Sequence, residues 1–151
     1  MIIRELTFTV PGEPVAKGRP KASIINGHVH MRTPAKTASF ELLVRSEFER
    51  QFPDLEPIKG PVSVCWRAYF QIPKSWSKKK QKMAADGIIV PTKKPDTDNL
   101  AKIKDALNCV AWADDAQVVD EEVHKRYVEP GQVPRLVITI GISDKKGIND
   151  K

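Results

Sequence analysis

Carboxylates concentrate within residues 94–118 of a chain whose formal net charge is +6. Asp96 and Asp98 lie at the start of a predicted helix, and Lys102 follows one turn later. A second acidic pair, Asp114–Asp115, lies just past the predicted helix end. Acidic groups gathered in a basic protein form either a metal site or an acidic hole in a basic surface. Both arrangements suit an enzyme that cuts nucleic acid.

The helix that would carry these groups is predicted from one apolar face. Its apolar residues recur at spacings of three and four: Leu100, Ile103, Leu107 and Val110. Either Asp98 or Asn99 would cap the first turn, and the helix would end near residues 108–109. Asp98, Lys102 and Asp105 fall at i, i+4 and i+7, so they form a polar stripe beside the apolar one.

The donor atoms of these carboxylates favour a hard divalent cation. Mg²⁺ and Mn²⁺ bind carboxylates, waters and phosphate oxygens, and no His or Cys spacing typical of zinc accompanies the acids. Such an ion activates a water and neutralises a scissile phosphate, while a nearby lysine stabilises the charge that develops there. In the alternative reading, the first acidic pair caps a helix and the second forms a solvated turn.

The composite motif formed by residues 95–102, 105–107 and 114–118 resembles the signature of the RusA family of Holliday junction resolvases. Members of this family are small dimeric endodeoxyribonucleases of bacteria and their phages. Two further stretches resemble the family, residues 11–20 and 73–77. The resemblance covers most of the chain, up to about residue 142, and its long central motif makes chance agreement unexpected.

The resemblance implies roles for individual residues. Asp96, Asp98 and Asp115 would be the essential metal-binding carboxylates, and Lys102 would assist catalysis. The protein would be a Mg²⁺-dependent homodimer, with Mn²⁺ as a substitute, that resolves branched DNA by paired nicks. It would act in the cytoplasm, without a small-molecule cofactor or a membrane partner. Many members have glycine where this chain has Cys109, so the connection after the helix is expected to differ slightly.

Basic residues expected to bind the DNA backbone lie near the N terminus and just before the acidic motif. They are Lys17, Arg19, Lys21, Lys74, Lys78, Lys79, Lys93 and Lys94. Glycine and proline around residues 17–21 predict a loop that presents its cations outward. Residues 78–82 could equally be a solvated lysine-rich helix, and Trp76 is interpreted as a core anchor rather than a base-stacking residue.

Hydrophobic periodicity predicts an α+β domain with a mixed four-stranded sheet and helices packed on one face. The expected strands are residues 2–10, 62–72, 118–128 and 136–142, the last two paired as a hairpin. A separate small ribbon would turn at Asn26-Gly27. One helix is expected to begin at Pro34. A second, short helix is expected from residue 77 to residue 85, with Ser77 as its cap. The domain is expected to span residues 1–143, with a charged, frayed tail at 144–151.

Composition narrows the functional class further. Hydrophobic residues make up 40% of the chain, which favours a globular fold, and no apolar run approaches membrane-span length. The first residues lack a signal-peptide layout, and the two cysteines are expected to be reduced thiols. None of His28, His30 and His124 shows metal-ligand spacing. Three alternatives stay open: a nuclease for forks or flaps, a DNA-binding protein without catalysis, and a degenerate prophage relic.

Overall fold

The fold is a four-stranded mixed sheet with helices packed on one face, and the computed structural model describes residues 1–148. The strands are β1 (Ile2–Pro11), β2 (Lys21–Ile25), β3 (His28–Arg32), β4 (Val62–Phe70), β5 (Val118–Tyr127) and β6 (Arg135–Ser143). The helices are α1 (Ala35–Gln51), α2 (Lys78–Ala85) and α3 (Thr97–Ala101), followed by 3-10 turns at Lys102–Ala106 and Asp115–Gln117. The predicted α+β class is confirmed.

The main sheet has the order β1-β6-β4-β5, with β4 and β5 parallel and the other neighbours antiparallel. One face is apolar because every second residue of β1, β4 and β6 points toward the helices. The core residues of this face are Leu6, Phe8, Val10, Val62, Val64, Trp66, Ala68, Phe70, Leu136, Ile138 and Ile140. Helix α1 covers part of it, and the Phe8 and Phe48 rings meet edge-on at 5.3 Å.

Local patterns predicted several elements correctly. The ribbon β2–β3 turns at Asn26 and Gly27, whose φ angles of 52° and 79° are those of a tight hairpin turn. Helix α1 follows Pro34, as predicted, and buries Phe40, Val44 and Phe48. Ser77 caps α2, because its hydroxyl accepts a hydrogen bond from the Lys80 backbone N–H at 3.2 Å. Trp76 is half-buried and packs edge-on against Tyr127 at 5.4 Å.

The predicted hairpin between residues 118–128 and 136–142 is wrong. Strands β5 and β6 do not pair with each other, because β4 lies between them and pairs with both. The fully apolar face of β6 belongs at the centre of the sheet, whereas β5 carries charged residues on both faces and suits an edge. The connection between them therefore passes the end of β4, where the Val128 N–H donates to the Phe70 carbonyl at 3.0 Å.

The acidic helix is shorter than predicted, and a different residue occupies its N-cap position. Asp96 occupies the N-cap position, so the prediction of Asp98 or Asn99 as the cap is wrong. The Asp96 side chain makes no capping hydrogen bond. Helix α3 gives way after Ala101 to a 3-10 turn that ends at Ala106. The helix starts earlier because the Leu100 N–H already donates to the Asp96 carbonyl at 3.1 Å.

Cys109 adopts the left-handed conformation, with φ at 65°, just after this segment. A side chain here is strained, so Cys109→Gly is expected to stabilise the fold by up to about 1 kcal/mol, after the entropic cost of glycine is subtracted. The melting temperature should rise by roughly 2–4 °C, as measured by circular dichroism. Cys109→Ala is the control, because it keeps the strained Cβ and should give no gain. An equal rise in both variants would contradict the assignment of strain.

Asp144, the residue after β6, lies beside the first residue of the chain. The amino group of Met1 donates to the Asp144 carboxylate at 2.8 Å, and the Asp144 N–H donates to the Met1 carbonyl at 3.0 Å. Residues 149–151 of the predicted frayed tail lie outside the described residues, and the predicted domain limits stay a prediction. Within residues 1–148, no helix is both long and apolar enough to cross a membrane.

Candidate active site

The start of α3 lines an open groove together with the loop after β1 and the first turn of α1. Acidic, cationic and amide side chains line this groove: Lys17, Arg19, Lys36, Lys94, Asp96, Asp98, Asn99 and Lys102. The Lys17 N–H donates to the Asn99 carbonyl at 3.0 Å, which ties the loop to α3. The groove therefore brings together Asp96, Asp98 and Lys102 with three of the predicted DNA-binding cations.

Asp98 and Lys102 form an ion pair across one helical turn, as the predicted polar stripe requires. The Lys102 Nζ atom lies 3.3 Å from Asp98 Oδ2 and 3.4 Å from the Asn99 side-chain oxygen. Their side chains are 81% and 54% exposed, so water weakens the pair. Either group can therefore exchange its partner for a phosphate or a cation at little cost.

Asp115 is held in a half-buried position beside the end of the 3-10 turn. The Trp112 indole N–H donates to Asp115 Oδ1 at 2.7 Å, and the Asp115 backbone N–H donates to the Asn108 side-chain oxygen at 3.0 Å. Burial raises the pKa of the Asp115 carboxyl, and the nearby Asp105 carboxylate raises it further against the opposing hydrogen bond from Trp112. A carboxylate in this setting is stabilised by a cation.

The neighbouring Asp114 has a different function. Its carboxylate accepts a hydrogen bond from the Ala116 N–H at 2.9 Å, and its own N–H donates to the Gln117 side-chain oxygen at 2.8 Å. These two bonds form a capping box that starts the Asp115–Gln117 turn. Asp114 therefore has a structural role, which favours Asp115 as the functional member of the pair.

Lys17 connects the groove to the Asp115 region. Its ammonium donates to Asp105 Oδ2 at 2.6 Å and to Glu41 Oε1 at 3.0 Å. Burial lowers the pKa of Lys17, but the hydrogen bonds and charges of Asp105 and Glu41 outweigh it and raise the pKa above its ordinary value. The prediction that Lys17 presents its charge outward is wrong, because two carboxylates hold the ammonium and only 20% of the side chain is exposed.

The other predicted DNA-binding residues are spread over the surface. Arg19 and Lys94 line the groove, and Lys21 lies on the ribbon strand β2. Lys74 and Lys78 line a separate groove beside α2. Lys79 lies on α2 itself. The Lys93 carbonyl accepts a hydrogen bond from Lys125 at 2.6 Å.

The three predicted metal ligands do not converge on one point. Within the described residues 1–148, the carboxylate oxygens of Asp96, Asp98 and Asp115 do not all lie within 4.8 Å of one another. Asp96 and Asp98 line the groove, whereas Asp115 lies beside Asp105. Asp96 and Asp98 thus share one groove, and Asp115 is not among the described residues that line it.

Comparison with known proteins identifies the protein family. The sequence profile described as "Endodeoxyribonuclease RusA" matches residues 11–141. The chain belongs to the RusA family. It is therefore an endodeoxyribonuclease of a family of Holliday junction resolvases, and the resemblance seen in the sequence is confirmed. The chain is also 47% identical over 135 residues to the uncharacterized protein YqaN of Bacillus subtilis strain 168, covering 87% of this chain and 94% of YqaN.

The donor set of the groove fits the divalent metal on which nucleases of the RusA kind generally depend. Asp96 and Asp98 offer carboxylate oxygens from exposed side chains, and among the described residues no thiol or imidazole lines the same groove. Oxygen-only donors with room for water and phosphate suit a small hard cation. A cation held by these two carboxylates would keep coordination positions for water and phosphate oxygens.

Three residues at the RusA-family site were not predicted from sequence. The sequence places Asp105 in the polar stripe and in the composite motif, but no pattern indicates that it contacts Lys17 and lies beside Asp115. No sequence pattern singles out Trp112, whose indole N–H orients Asp115. Lys36 carried no signal beyond its position in the first turn of α1, and it adds a cation to the groove.

Proposed function

We propose that this protein resolves four-way DNA junctions by two symmetric nicks, in a reaction that depends on Mg²⁺ or Mn²⁺. The observation that supports this most directly is the groove in which Asp96, Asp98 and Lys102 lie beside Arg19, Lys36 and Lys94. A DNA backbone needs cations along its path, whereas a hydrolytic metal needs oxygen ligands at the scissile phosphate. The groove supplies both within one surface.

Each residue of the site has a distinct proposed task. Asp96 and Asp98 would hold the cation, with Asp115 as the third carboxylate ligand. The bound cation would activate water and neutralise the scissile phosphate. Lys102 would move from Asp98 to the phosphate and stabilise the charge that develops on it. Arg19, Lys36 and Lys94 would hold the flanking phosphates.

Lys17 is better assigned to positioning than to direct phosphate binding. Its ammonium is already held by Asp105 and Glu41, and those contacts fix the N-terminal loop against the turn after α3. This ion pair would keep the loop, and with it Arg19, beside the acidic groups. Lys21, Lys74, Lys78, Lys79 and Lys93 would extend the DNA contact beyond the groove.

Paired nicks require two active sites, and one chain supplies one Asp96–Asp98–Asp115 set. We propose a two-fold homodimer, since a four-way junction has near two-fold symmetry and isologous pairing is the commonest oligomer geometry. The protein would act in the cytoplasm of a bacterium, encoded by the host or by a phage, and use no small-molecule cofactor. The main alternative within the same chemistry is a nuclease for forks or flaps.

The proposed substrate can be tested with a panel of end-labelled DNA substrates of matched sequence: a four-way junction, a fork, a flap and a linear duplex. We expect the junction to be cut fastest, with nicks at symmetric positions in two strands of like polarity. Faster cutting of the fork or the flap would assign the activity to that structure instead. Binding to the junction without any cutting would support the alternative of a DNA-binding protein without catalysis.

Lys102→Ala is expected to slow junction cleavage by roughly two to three orders of magnitude, the scale of losing one charge-stabilising donor. Single-turnover cleavage and gel-shift binding should be measured together, and binding should change less than about tenfold. Lys102→Arg should recover part of the rate because it restores the charge. Lys59→Ala, which removes an exposed lysine away from the groove, is the matched control. Equal losses in binding and rate would identify Lys102 as an ordinary phosphate contact.

A further inference from the structure

A second cluster of metal-binding side chains lies on the opposite face of the sheet from the groove. In β4, the residues that alternate with the buried core positions point away from the helices, and Cys65 is among them. Cys65 pairs directly with Glu122 of the parallel strand β5, and Arg67 pairs with His124. Cys65, Glu122 and His124 therefore share one face, two of them in adjacent register positions and the third diagonal to them.

The ligand atoms of these three residues converge. One sulfur of Cys65, one carboxylate oxygen of Glu122 and one ring nitrogen of His124 all lie within 4.8 Å of one another. His124 Nε2 and Glu122 Oε2 are 3.3 Å apart. In the part of the chain that the structure describes, this is the one group of three or more such residues that meets this distance. Two hydrogen-bonded strands fix the backbone beneath it.

The distances are close to those of a bound transition metal. Ligand atoms at about 2.0–2.3 Å from a tetrahedral zinc ion stand roughly 3.3–3.8 Å from each other. The Glu122 and His124 side chains are 73% and 37% exposed, so their ends can rotate without displacing core atoms. Rotation of these two side chains is the proposed route to the shorter distances.

The chemistry of the three donors selects the kind of ion. A thiolate, an imidazole and a carboxylate together suit a borderline cation such as Zn²⁺, whereas Mg²⁺ prefers oxygen ligands alone. Cys65 and Glu122 line a second, acidic pocket together with Glu5, Asp120 and Glu121. Among the described residues, Arg67 is the one basic residue that lines this pocket. A divalent cation would offset this excess negative charge.

We propose that Cys65, Glu122 and His124 form a Zn²⁺ site in which water completes the coordination. The site is separate from the nuclease groove, because it lies on the other face of the sheet. Binding would convert the Cys65 thiol to a thiolate and release one proton to solvent. The Zn–S, Zn–N and Zn–O bonds would join the inner strand β4 to the edge strand β5.

The site has a structural role that follows from its position. Strand β5 begins at Val118, directly after the turn that contains Asp115. In the main sheet β5 pairs with β4 alone, because it is an edge strand. A metal bond across this pair would hold the edge strand in register. The expected consequence is higher stability and less opening of β5, with no direct part in phosphodiester cleavage.

Co²⁺ is a suitable probe because a Co²⁺–thiolate bond absorbs in the near ultraviolet and oxygen-bound Co²⁺ does not. Titration of the reduced protein should give this absorption and saturate at one ion per chain. Zn²⁺ should abolish it by displacement, whereas Mg²⁺ should leave it unchanged. Zn²⁺ should also raise the melting temperature of the wild-type protein. Co²⁺ bound to Asp96, Asp98 or Asp115 would give no thiolate absorption, because these ligands contain no sulfur. The absorption therefore distinguishes the two sites.

Cys65→Ser should remove the thiolate absorption, and Cys109→Ser, at the other cysteine, should retain it. Glu122→Gln and His124→Gln should each weaken Co²⁺ binding by at least about tenfold, a loss of one ligand bond. Glu122 is exposed, so its variant tests the site even if Cys65→Ser fails to fold. The proposal is overturned if the wild-type protein gives no thiolate absorption, or if the absorption survives Cys65→Ser or disappears in Cys109→Ser.

Discussion

Asp96→Asn, Asp98→Asn and Asp115→Asn should each reduce junction cleavage by about three or more orders of magnitude. Losing a metal ligand removes several kcal/mol of transition-state stabilisation, and each 1.4 kcal/mol corresponds to about tenfold in rate. Binding to the junction should stay equal or become tighter, because one negative charge facing the phosphates is removed. Single-turnover cleavage and gel-shift assays on one junction measure both effects.

The asparagine variants should keep the fold. The Asp96 side chain makes no capping hydrogen bond, so Asp96→Asn removes no side-chain contact that starts α3. In Asp115→Asn the amide oxygen can still accept the hydrogen bond of the Trp112 indole. Asp114→Asn is the matched control, since its side chain can still cap the Asp115–Gln117 turn and should preserve cleavage. If any of the three test variants cuts at nearly the wild-type rate, that residue is not a metal ligand.

Removal of divalent metal should abolish cleavage entirely. Excess chelator should leave no detectable product, and Mg²⁺ or Mn²⁺ added back should restore it. Ca²⁺ should support junction binding without turnover, because its larger and looser coordination shell positions water and phosphate poorly. The measurement is product formation on the labelled junction across a metal series.

The proposed zinc site requires its own control in this experiment, because a chelator would remove both ions. Cys65→Ser should depend on Mg²⁺ as the wild-type protein does, and Mg²⁺ in zinc-free buffer should restore its activity. Rapid cleavage in excess chelator by the wild-type protein would contradict the metal mechanism. Recovery with Zn²⁺ but not with Mg²⁺ would contradict the assignment of a hard cation to the groove.

The fold was predictable wherever one buried face imposes a period on the sequence. Strands β1 and β4 alternate with period two, and α1 places Phe40, Val44 and Phe48 on one stripe. Asn26-Gly27 predicted its hairpin because few residues accept two successive positive φ angles. The order β6-β4-β5 was not predictable in this way, since strand order depends on contacts between distant segments and not on the period of one strand.

The sequence predicted which residues form the candidate site better than it predicted their contacts in space. The acidic motif located Asp96, Asp98 and Lys102, and the structure places all three in one groove. The ion pair of Lys17 with Asp105 joins residues 88 positions apart, and no local pattern indicates it. Cys65 and His124 likewise meet only because β4 and β5 are parallel neighbours. Spacing along one segment cannot reveal ligands that two strands contribute.

Cleavage of one junction by two copies of this site is the step on which the proposed function depends. Its most direct test uses a supercoiled plasmid that extrudes a cruciform, with the oligomeric state measured by sedimentation at the same protein concentration. Paired nicks within one binding event convert the plasmid directly to linear DNA, whereas independent nicks first give relaxed nicked circles. We expect a dimer in sedimentation and linear DNA as the first product with Mg²⁺. Nicked circles alone, or direct linear product from a stable monomer, would contradict the account.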